Sequence, residues 1–273
     1  MNGLKVEQKI QERMTKRLKN LFSGIAIALS YDNSGYYIAG NSCNAAAPND
    51  YDLYPVRGED FDFKGISRRV ESVNGFVICE TKNALTCNIS GKVVQFCKYK
   101  KDSLYKLVES FDFAHIQVGC GVRIEWRPGG EDGPDDPGGY DYSIVDEVAY
   151  TTDWERAHLL ETTWYTGSEY PLSSLIRTVK YFQRGAYANK HEYKVDILNI
   201  LGDIIARGYK DYPDYKDQLA AIDLLLLEPE ESKAAWDLFR TCGHAGIVKN
   251  FDPGKSEEEY EDDNLVGQFV KED

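Results

Sequence analysis

Two aspartates stand two residues apart in the stretch AGNSCNAAAPNDYDLYPV, which runs from Ala39 to Val56. Side chains two apart on a β-strand point to the same face, so Asp50 and Asp52 are predicted to lie together. Two neighbouring carboxylates repel each other unless a cation is bound between them. Mg²⁺ binds carboxylate and phosphate oxygens together in sites of phosphoryl transfer. The pair therefore predicts a metal site that acts on a phosphorylated substrate.

A short turn before this pair has the residues that a phosphate site needs. Gly40, Asn41 and Ser42 follow a predicted strand and precede CNAAA, which could begin a short helix. Such a turn offers backbone N–H groups and a hydroxyl, and its glycine allows a close approach of the ligand. We expect this turn to hold the β- and γ-phosphates of a nucleotide.

A glycine turn, followed about ten residues later by Asp-x-Asp on a strand, resembles the signature of the nucleotidyltransferase superfamily typified by DNA polymerase beta. The resemblance implies a third carboxylate on a neighbouring strand, and Asp112 in ESFDFAHIQVG stands in the expected order. It also implies transfer of a nucleoside monophosphate from an NTP, such as ATP, to a hydroxyl with release of pyrophosphate. Asp50, Asp52 and Asp112 would then hold two Mg²⁺ ions, with Asp112 beside the acceptor.

A second resemblance covers more of the chain, about residues 35–195. The segments TKNALTCNISGKVVQFC, ESFDFAH and YTGSEYPLSSLIRTVKYFQRG are similar to nucleotidyltransferase-like proteins of bacteriophages. That resemblance implies nucleotidyl transfer in the cytoplasm of a host cell, or a place in a virion, with a phage or host protein as partner. It does not imply an acceptor.

Alternatives to this enzyme remain open. Asn41 stands where the superfamily has glycine or serine, so the same fold could be catalytically silent and act as a binding or virion-associated module. Asp-x-Asp also occurs in glycosyltransferases, which would depend on a nucleotide sugar and Mn²⁺. Asp60 and Asp62 form another pair in GEDFDF, which we interpret as loop acids, with Asp62 as the reserve candidate.

The order of predicted strands and helices along the chain predicts an α/β (α+β) fold, in which a small mixed sheet precedes a helical domain. SLYKLVESF (103–111) is expected to be a helix between strands, and GIAIALSY (24–31) and FAHIQVGC (113–120) to be strands. The predicted parts are an amphipathic helix with a basic face (1–23), a nucleotidyltransferase sheet domain (24–150) with a mobile acidic loop (127–141), a helical domain (151–250) and an acidic tail (251–273).

Basic residues recur every three or four positions in the helical part. The stripe consists of Arg177, Lys180, Arg184, Tyr187, His191 and Lys194, and Tyr181 stands next to it. This spacing predicts one face of a single helix, with Gly185 as a point of kinking. Such a stripe would neutralise a triphosphate, with Tyr165, Tyr181 or Tyr187 stacking on the base and Ser168 contacting a second phosphate. A solvated basic face is the alternative.

The net charge bears on the class of acceptor, and the cysteine content bears on the cellular compartment. The net charge is −13, and the segment from Phe251 carries nine acids and two lysines. This acidity argues against a broad nucleic-acid-coating surface and slightly favours a protein, a small molecule or a short strand as acceptor, although a nucleic-acid end remains open. No apolar run reaches the length of a membrane span, and six scattered cysteines indicate reduced thiols in the cytoplasm.

Overall fold

The computed structural model describes residues 3–29, 34–44, 48, 50–56, 59–81, 83–127 and 140–207. The predicted tail lies outside these residues, and so does the predicted loop apart from its ends. The chain divides into two compact units, Met1–His158 and Leu159–Asp273.

The described part of the first unit contains one sheet. Its strands are β1 (Gly35–Ala39), β2 (Asp50–Pro55), β3 (Phe76–Glu80), β4 (Ala84–Ile89), β5 (Lys92–Cys97), β6 (Val118–Arg127) and β7 (Tyr140–Tyr150). Their spatial order is β3-β4-β5-β2-β1-β6-β7. β2 and β5 run parallel, whereas the other neighbours are antiparallel. The sequence-based prediction of an α/β class with a mixed sheet is confirmed.

Helices accompany this sheet at several points of the chain. They are α1 (Gly3–Leu29), α2 (Asn41–Asn44), α3 (Phe63–Ser72), α4 (Leu104–Glu109) and α5 (Thr152–Leu160), with a 3₁₀-helix at Ala114–Ile116. The strand prediction for 24–31 is therefore wrong at its described residues, and the prediction for 113–120 is wrong in part. Residues 24–29 continue α1, and the 113–120 segment begins with the 3₁₀-helix, so that β6 starts only at Val118. None of the described helices has the length and hydropathy of a bilayer span.

The main core lies on one face of the sheet, where α1 and α3 pack. Met14, Ile25 and Leu29 of α1 join Ile38 of β1 and Leu53 of β2 in one cluster of buried side chains. Because strand residues alternate between faces, Leu53 and its neighbours in this core leave the intervening residues of β2 on the opposite face.

A smaller cluster covers part of that opposite face. Helix α4 contacts β1, β6 and β7, and its Leu104, Leu107 and Val108 pack with Ala39 and Ala149. Four partly buried aromatic side chains surround this cluster, namely Tyr37, Tyr54, Tyr99 and Phe111. Asp50 and Asp52 share the parity of Tyr54 along β2, so they lie on this aromatic-lined face.

The second unit contains α6 (Pro171–Gln183) and α7 (Lys190–Arg207). The predicted single basic helix is wrong, because the chain leaves the helix after Gln183. Gly185 has φ +72°, a left-handed conformation that commonly ends a helix. His191 consequently belongs to α7, so it does not share one helix face with the basic residues of α6.

A buried carboxylate holds the connection between these two helices. Asp196 is 3% exposed and accepts hydrogen bonds from the Tyr165 backbone N–H at 2.7 Å and from the Tyr187 hydroxyl at 2.9 Å. The Tyr165 hydroxyl donates to Asp203 at 2.8 Å. Both tyrosines are buried, so their rings are part of the internal packing of this unit rather than exposed surfaces for a base.

Candidate functional site

Asp50 and Asp52 begin β2, where every second residue is buried. Tyr51 and Leu53 are buried in the main core, whereas Asp50 and Asp52 are half-buried on the other face. This alternation places both carboxylates on one side of the strand, as the sequence predicts. β2 is flanked by β1 and β5, so the pair lies in the interior of the sheet and not at its edge.

The turn that follows β1 reverses the chain next to this pair. Gly40 has φ +80°, a conformation that residues with a Cβ rarely adopt, and its N–H donates to Val118 O at 2.8 Å. The register of β1 with β2 pairs Ile38 with Leu53. Because the two strands are antiparallel, the end of β1 and the turn after it lie at the end of the sheet where β2 begins with Asp50 and Asp52.

The hydroxyl of Ser42 does not face outward from this turn. Ser42 is 2% exposed, and its Oγ donates to the Ala39 carbonyl at 2.9 Å. That proton is thus already used within the turn. Arg17 of α1 donates to the Ser42 carbonyl at 3.4 Å, so the basic face of the first helix reaches the turn from behind. Asn41, the first residue of α2, is half-buried.

Asp112 lies in a segment that is hydrogen-bonded to α2, the short helix that begins in this turn. Asn44 Nδ2 donates to His115 O at 3.0 Å, and Gln117 Nε2 donates to Phe111 O at 2.8 Å. Asp112 itself is 3% exposed. Its segment leads into β6, which is separated from β2 by β1, so Asp112 is not on a strand adjacent to the aspartate pair.

Asp50 and Asp52 are the carboxylates of the described residues that the structure places together on one face of a strand. Among the described residues, no group of three or more His, Cys, Asp and Glu side chains is placed to hold a metal ion. Asp50 and Asp52 nevertheless fit Mg²⁺, which is usually bound through one or two carboxylates, substrate phosphates and waters. Asp112 as a third ligand stays a prediction.

The structure describes both acids of the GEDFDF segment, of which Asp62 is the reserve candidate. Asp60 is paired with Lys100 at 2.6 Å on the surface, and Asp62 is the residue that precedes α3. Asp60 is therefore suitable as a control for substitutions in the candidate site.

Two groups near Asp52 were not predicted from the sequence. Phe111 packs against Tyr54 with ring centroids 6.0 Å apart, and its ring edge lies 3.8 Å from the position of a Cβ on Gly40. Gln95 of β5 is in register with Asp52. The repeated tyrosines of β1 and β2 were a weak sequence signal for the aromatic pair. No sequence pattern pointed to Gln95, because register depends on the pairing of strands.

The predicted nucleotide-binding residues of the second unit differ in burial and in their position relative to α6. Arg177, Lys180 and Tyr181 are partly buried on α6, and Arg184 follows the end of that helix and is exposed. Ser168 Oγ accepts a hydrogen bond from the Tyr170 N–H at 2.8 Å. Their roles in nucleotide binding stay predictions.

His115 makes the stability of the first unit depend on pH. Burial lowers the pKa of His115 to about 4, and the negative charge of Asp112 opposes part of this shift. An unfolded chain has a histidine pKa of about 6.5, so the unfolded state binds the proton more readily as the pH falls below that value. The folded state therefore loses stability between about pH 6.5 and pH 4.

We expect the free energy of unfolding to fall more between pH 7 and pH 5 for the wild type than for His115→Gln, since glutamine does not titrate. Urea denaturation of both proteins at the two pH values measures this difference. Equal losses in the two proteins would show that His115 is not the group responsible.

Comparisons with known proteins give weak structural likenesses. No protein-family profile and no curated protein matches the chain. A Thermotoga maritima CCA-adding enzyme complexed with tRNA is 12% identical, with a TM-score of 0.46 over 97% of this chain and 60% of that one. A CCA-adding enzyme with CTP is 13% identical, with a TM-score of 0.46 over 96% of this chain and 59% of that one.

A tRNA-processing enzyme in an apo form is 11% identical, with a TM-score of 0.43 over 94% of this chain and 67% of that one. The chain thus spans about 60% of the length of the two CCA-adding enzymes. With TM-scores below 0.5, these likenesses do not assign an activity to this chain.

Proposed function

We propose that this protein transfers a nucleoside monophosphate from an NTP to a hydroxyl acceptor in a Mg²⁺-dependent reaction. The observation that carries the proposal is the placement of Asp50 and Asp52. Both are half-buried on one face of β2, beside a turn in which Gly40 has a positive φ. Two carboxylates in the interior of a sheet repel each other, and a bound cation relieves that repulsion.

The proposed reaction is a nucleophilic substitution at the α-phosphorus of the NTP. The acceptor oxygen forms a bond to the α-phosphorus, the bond from that phosphorus to the oxygen bridging the β-phosphate breaks, and pyrophosphate leaves. The acceptor proton passes to solvent. Mg²⁺ would supply positive charge that stabilises the phosphate oxygens in the transition state.

In this proposal, different residues bind the cation and the phosphates. Asp50 and Asp52 hold the cation, and the turn at Gly40, Asn41 and Ser42 lies against the phosphates. Asp112 as a further acid, and the basic and polar residues of the second unit, complete the set proposed from the sequence. The acceptor is a nucleic-acid end, a protein or a small molecule.

One experiment tests both nucleotide and acceptor. The protein is incubated with Mg²⁺, each α-labelled NTP in turn and a bacterial lysate, and the RNA, protein and small-molecule fractions are separated. We expect label in one fraction only when Mg²⁺ is present. Isothermal titration calorimetry with each MgNTP is the companion measurement, and the absence of binding for all four would contradict the proposal.

A second candidate function is a catalytically silent binding module built on the same fold. The observation that favours it is the inward-directed Ser42 hydroxyl, together with the absence of a three-acid group among the described residues. This candidate expects no transfer of label in any fraction. Retention of a phage or host protein on the immobilised chain would support it.

A further inference from the structure

One flank of α1 carries a row of positive charges, which we call the basic ladder. Lys9, Arg13 and Arg17 follow one another at intervals of four residues, and Lys16 stands beside them. Residues four apart are neighbours on a helix surface, about 6 Å from each other along its axis. Lys9 and Lys16 are exposed, whereas both arginines are half-buried. Because Arg17 donates to the Ser42 carbonyl at 3.4 Å, the ladder ends at the turn that follows β1.

The charges of the basic ladder are not neutralised within the described part of the chain. Among the described residues, no acid forms an ion pair with any of the four side chains, and Glu12, one turn from both lysines, is no exception. Burial and the positive charge of Arg13 lower the pKa of the Arg17 guanidinium. The other ionisable groups that act on Arg17 are Tyr51 and Cys43, so no carboxylate compensates its charge.

This arrangement is unfavourable for the protein without a ligand. Like charges one turn apart on a helix repel each other. The repulsion between Arg13 and Arg17 is stronger than at a fully exposed site, because half-burial leaves less water to screen the two guanidinium groups. A bound anion with several charges would relieve the repulsion along the whole ladder.

The surroundings of the basic ladder favour one kind of anion. The apolar side of α1 is already packed in the main core, where Ile10, Met14 and Ile25 are buried. The helix therefore has no free apolar side to insert into a lipid surface, as basic amphipathic helices do. Of the large hydrophobic side chains described on α1, Ile27 is exposed, ten residues beyond Arg17. Protein interfaces usually have an apolar or aromatic centre, which the ladder lacks.

We infer that the basic ladder binds the phosphodiester backbone of a nucleic-acid strand. A row of cations without apolar anchors matches a row of phosphates, and contacts from Arg and Lys to phosphates supply affinity that does not depend on sequence. The net charge of −13 does not oppose a local site of this kind, since charges beyond about 10 Å are largely screened at 0.1 M salt. The inference goes beyond the proposed function, because it requires neither a divalent cation nor an NTP.

The test is fluorescence anisotropy with a labelled oligothymidylate of about 12 nucleotides, at several salt concentrations and without Mg²⁺ or NTP. Each phosphate neutralised on a single strand contributes about −0.7 to the slope of log affinity against log salt. We expect a slope of about −2.8 for the wild type with four contacts and about −1.4 for Lys9→Gln/Arg13→Gln. At low salt, this double variant is expected to bind about 10-fold more weakly or worse.

The matched control is Lys64→Gln/Arg68→Gln, which removes the same charge from two exposed residues that are also four apart, on α3. Helix α3 donates a hydrogen bond to Ala28 O, at the end of α1 away from Lys9. This control is expected to keep the wild-type slope and nearly the wild-type affinity. Thermal unfolding checks the fold of each variant. If Lys9→Gln/Arg13→Gln fails to fold, Lys9→Gln alone carries the test, with an expected change of slope of about 0.7.

The possible results either support the inference or overturn it. Wild-type affinity and slope in Arg13→Lys, which keeps the charge, would support binding by charge rather than an effect of helix packing. Absence of oligonucleotide binding by the wild type, or an unchanged slope in Lys9→Gln/Arg13→Gln, would overturn it. Equal losses in the two double variants would show that net charge alone matters. Cosedimentation with phosphatidylserine vesicles, without oligonucleotide binding, would assign the ladder to a lipid surface instead.

Discussion

Replacing Asp52 with asparagine is expected to lower the rate of nucleotidyl transfer by about 10³-fold or more. The carboxylate is half-buried on β2 beside Asp50, and its loss removes one of the two negative charges that would hold the cation. A bound metal supplies several kcal/mol of charge stabilisation in the transition state, and each 1.4 kcal/mol corresponds to about a factor of ten in rate. The measurement is pyrophosphate release with the NTP and acceptor identified by labelling.

The control for this variant is Asp60→Asn, which makes the same chemical change in the exposed acid paired with Lys100. It should retain wild-type activity, and both variants should show the thermal unfolding of the wild type. Full activity in Asp52→Asn would exclude the metal-binding role of the pair. A comparable loss in Asp112→Asn would support Asp112 as a further ligand.

Replacing Phe96 with alanine is expected to lower the free energy of unfolding by about 3–5 kcal/mol, the range for a large aromatic residue removed from a packed core. Phe96 is fully buried on β5, and its ring packs edge-on against Phe61 with centroids 5.5 Å apart. Its position next to Gln95 means that the cavity forms directly beneath the candidate site.

Phe76→Ala is the matched control, because that phenylalanine is 55% exposed on β3 at the edge of the sheet. Its removal should change stability by about 0.5 kcal/mol or less, as is usual for surface positions. Urea denaturation monitored by circular dichroism measures both variants. Equal destabilisation by the two substitutions would contradict the assignment of the core to the α1–α3 face.

Short-range patterns predicted many of the elements. The alternation in DYDLYP and the run in KVVQFC predicted strands that the structure contains. GIAIAL was mistaken for a strand because a short apolar run has no periodicity that separates a strand from a buried helix. Apart from the exposed Ile27, the run is buried at the end of α1, where packing against the sheet stabilises the helix.

The basic stripe shows a different reason for error. Spacings of three and four residues continue from Arg177 to Lys194, which is the pattern of one helix face. The chain ends α6 at Gln183 and starts α7 at Lys190, with Gly185 in a left-handed conformation between them. A repeated spacing does not encode where a helix stops, since termination depends on backbone conformation and on packing such as that of Tyr187 against Asp196.

The sequence by itself determined that Asp50 and Asp52 share one face of a strand, because side-chain alternation is a property of the local backbone. It also determined the sharp turn at Gly40, since glycine readily adopts a positive φ. Only the tertiary structure decided that Gln95, and not an acid, lies beside Asp52, and that Asp112 precedes a strand two positions away. Strand order and register follow from contacts between distant residues, which no local pattern specifies.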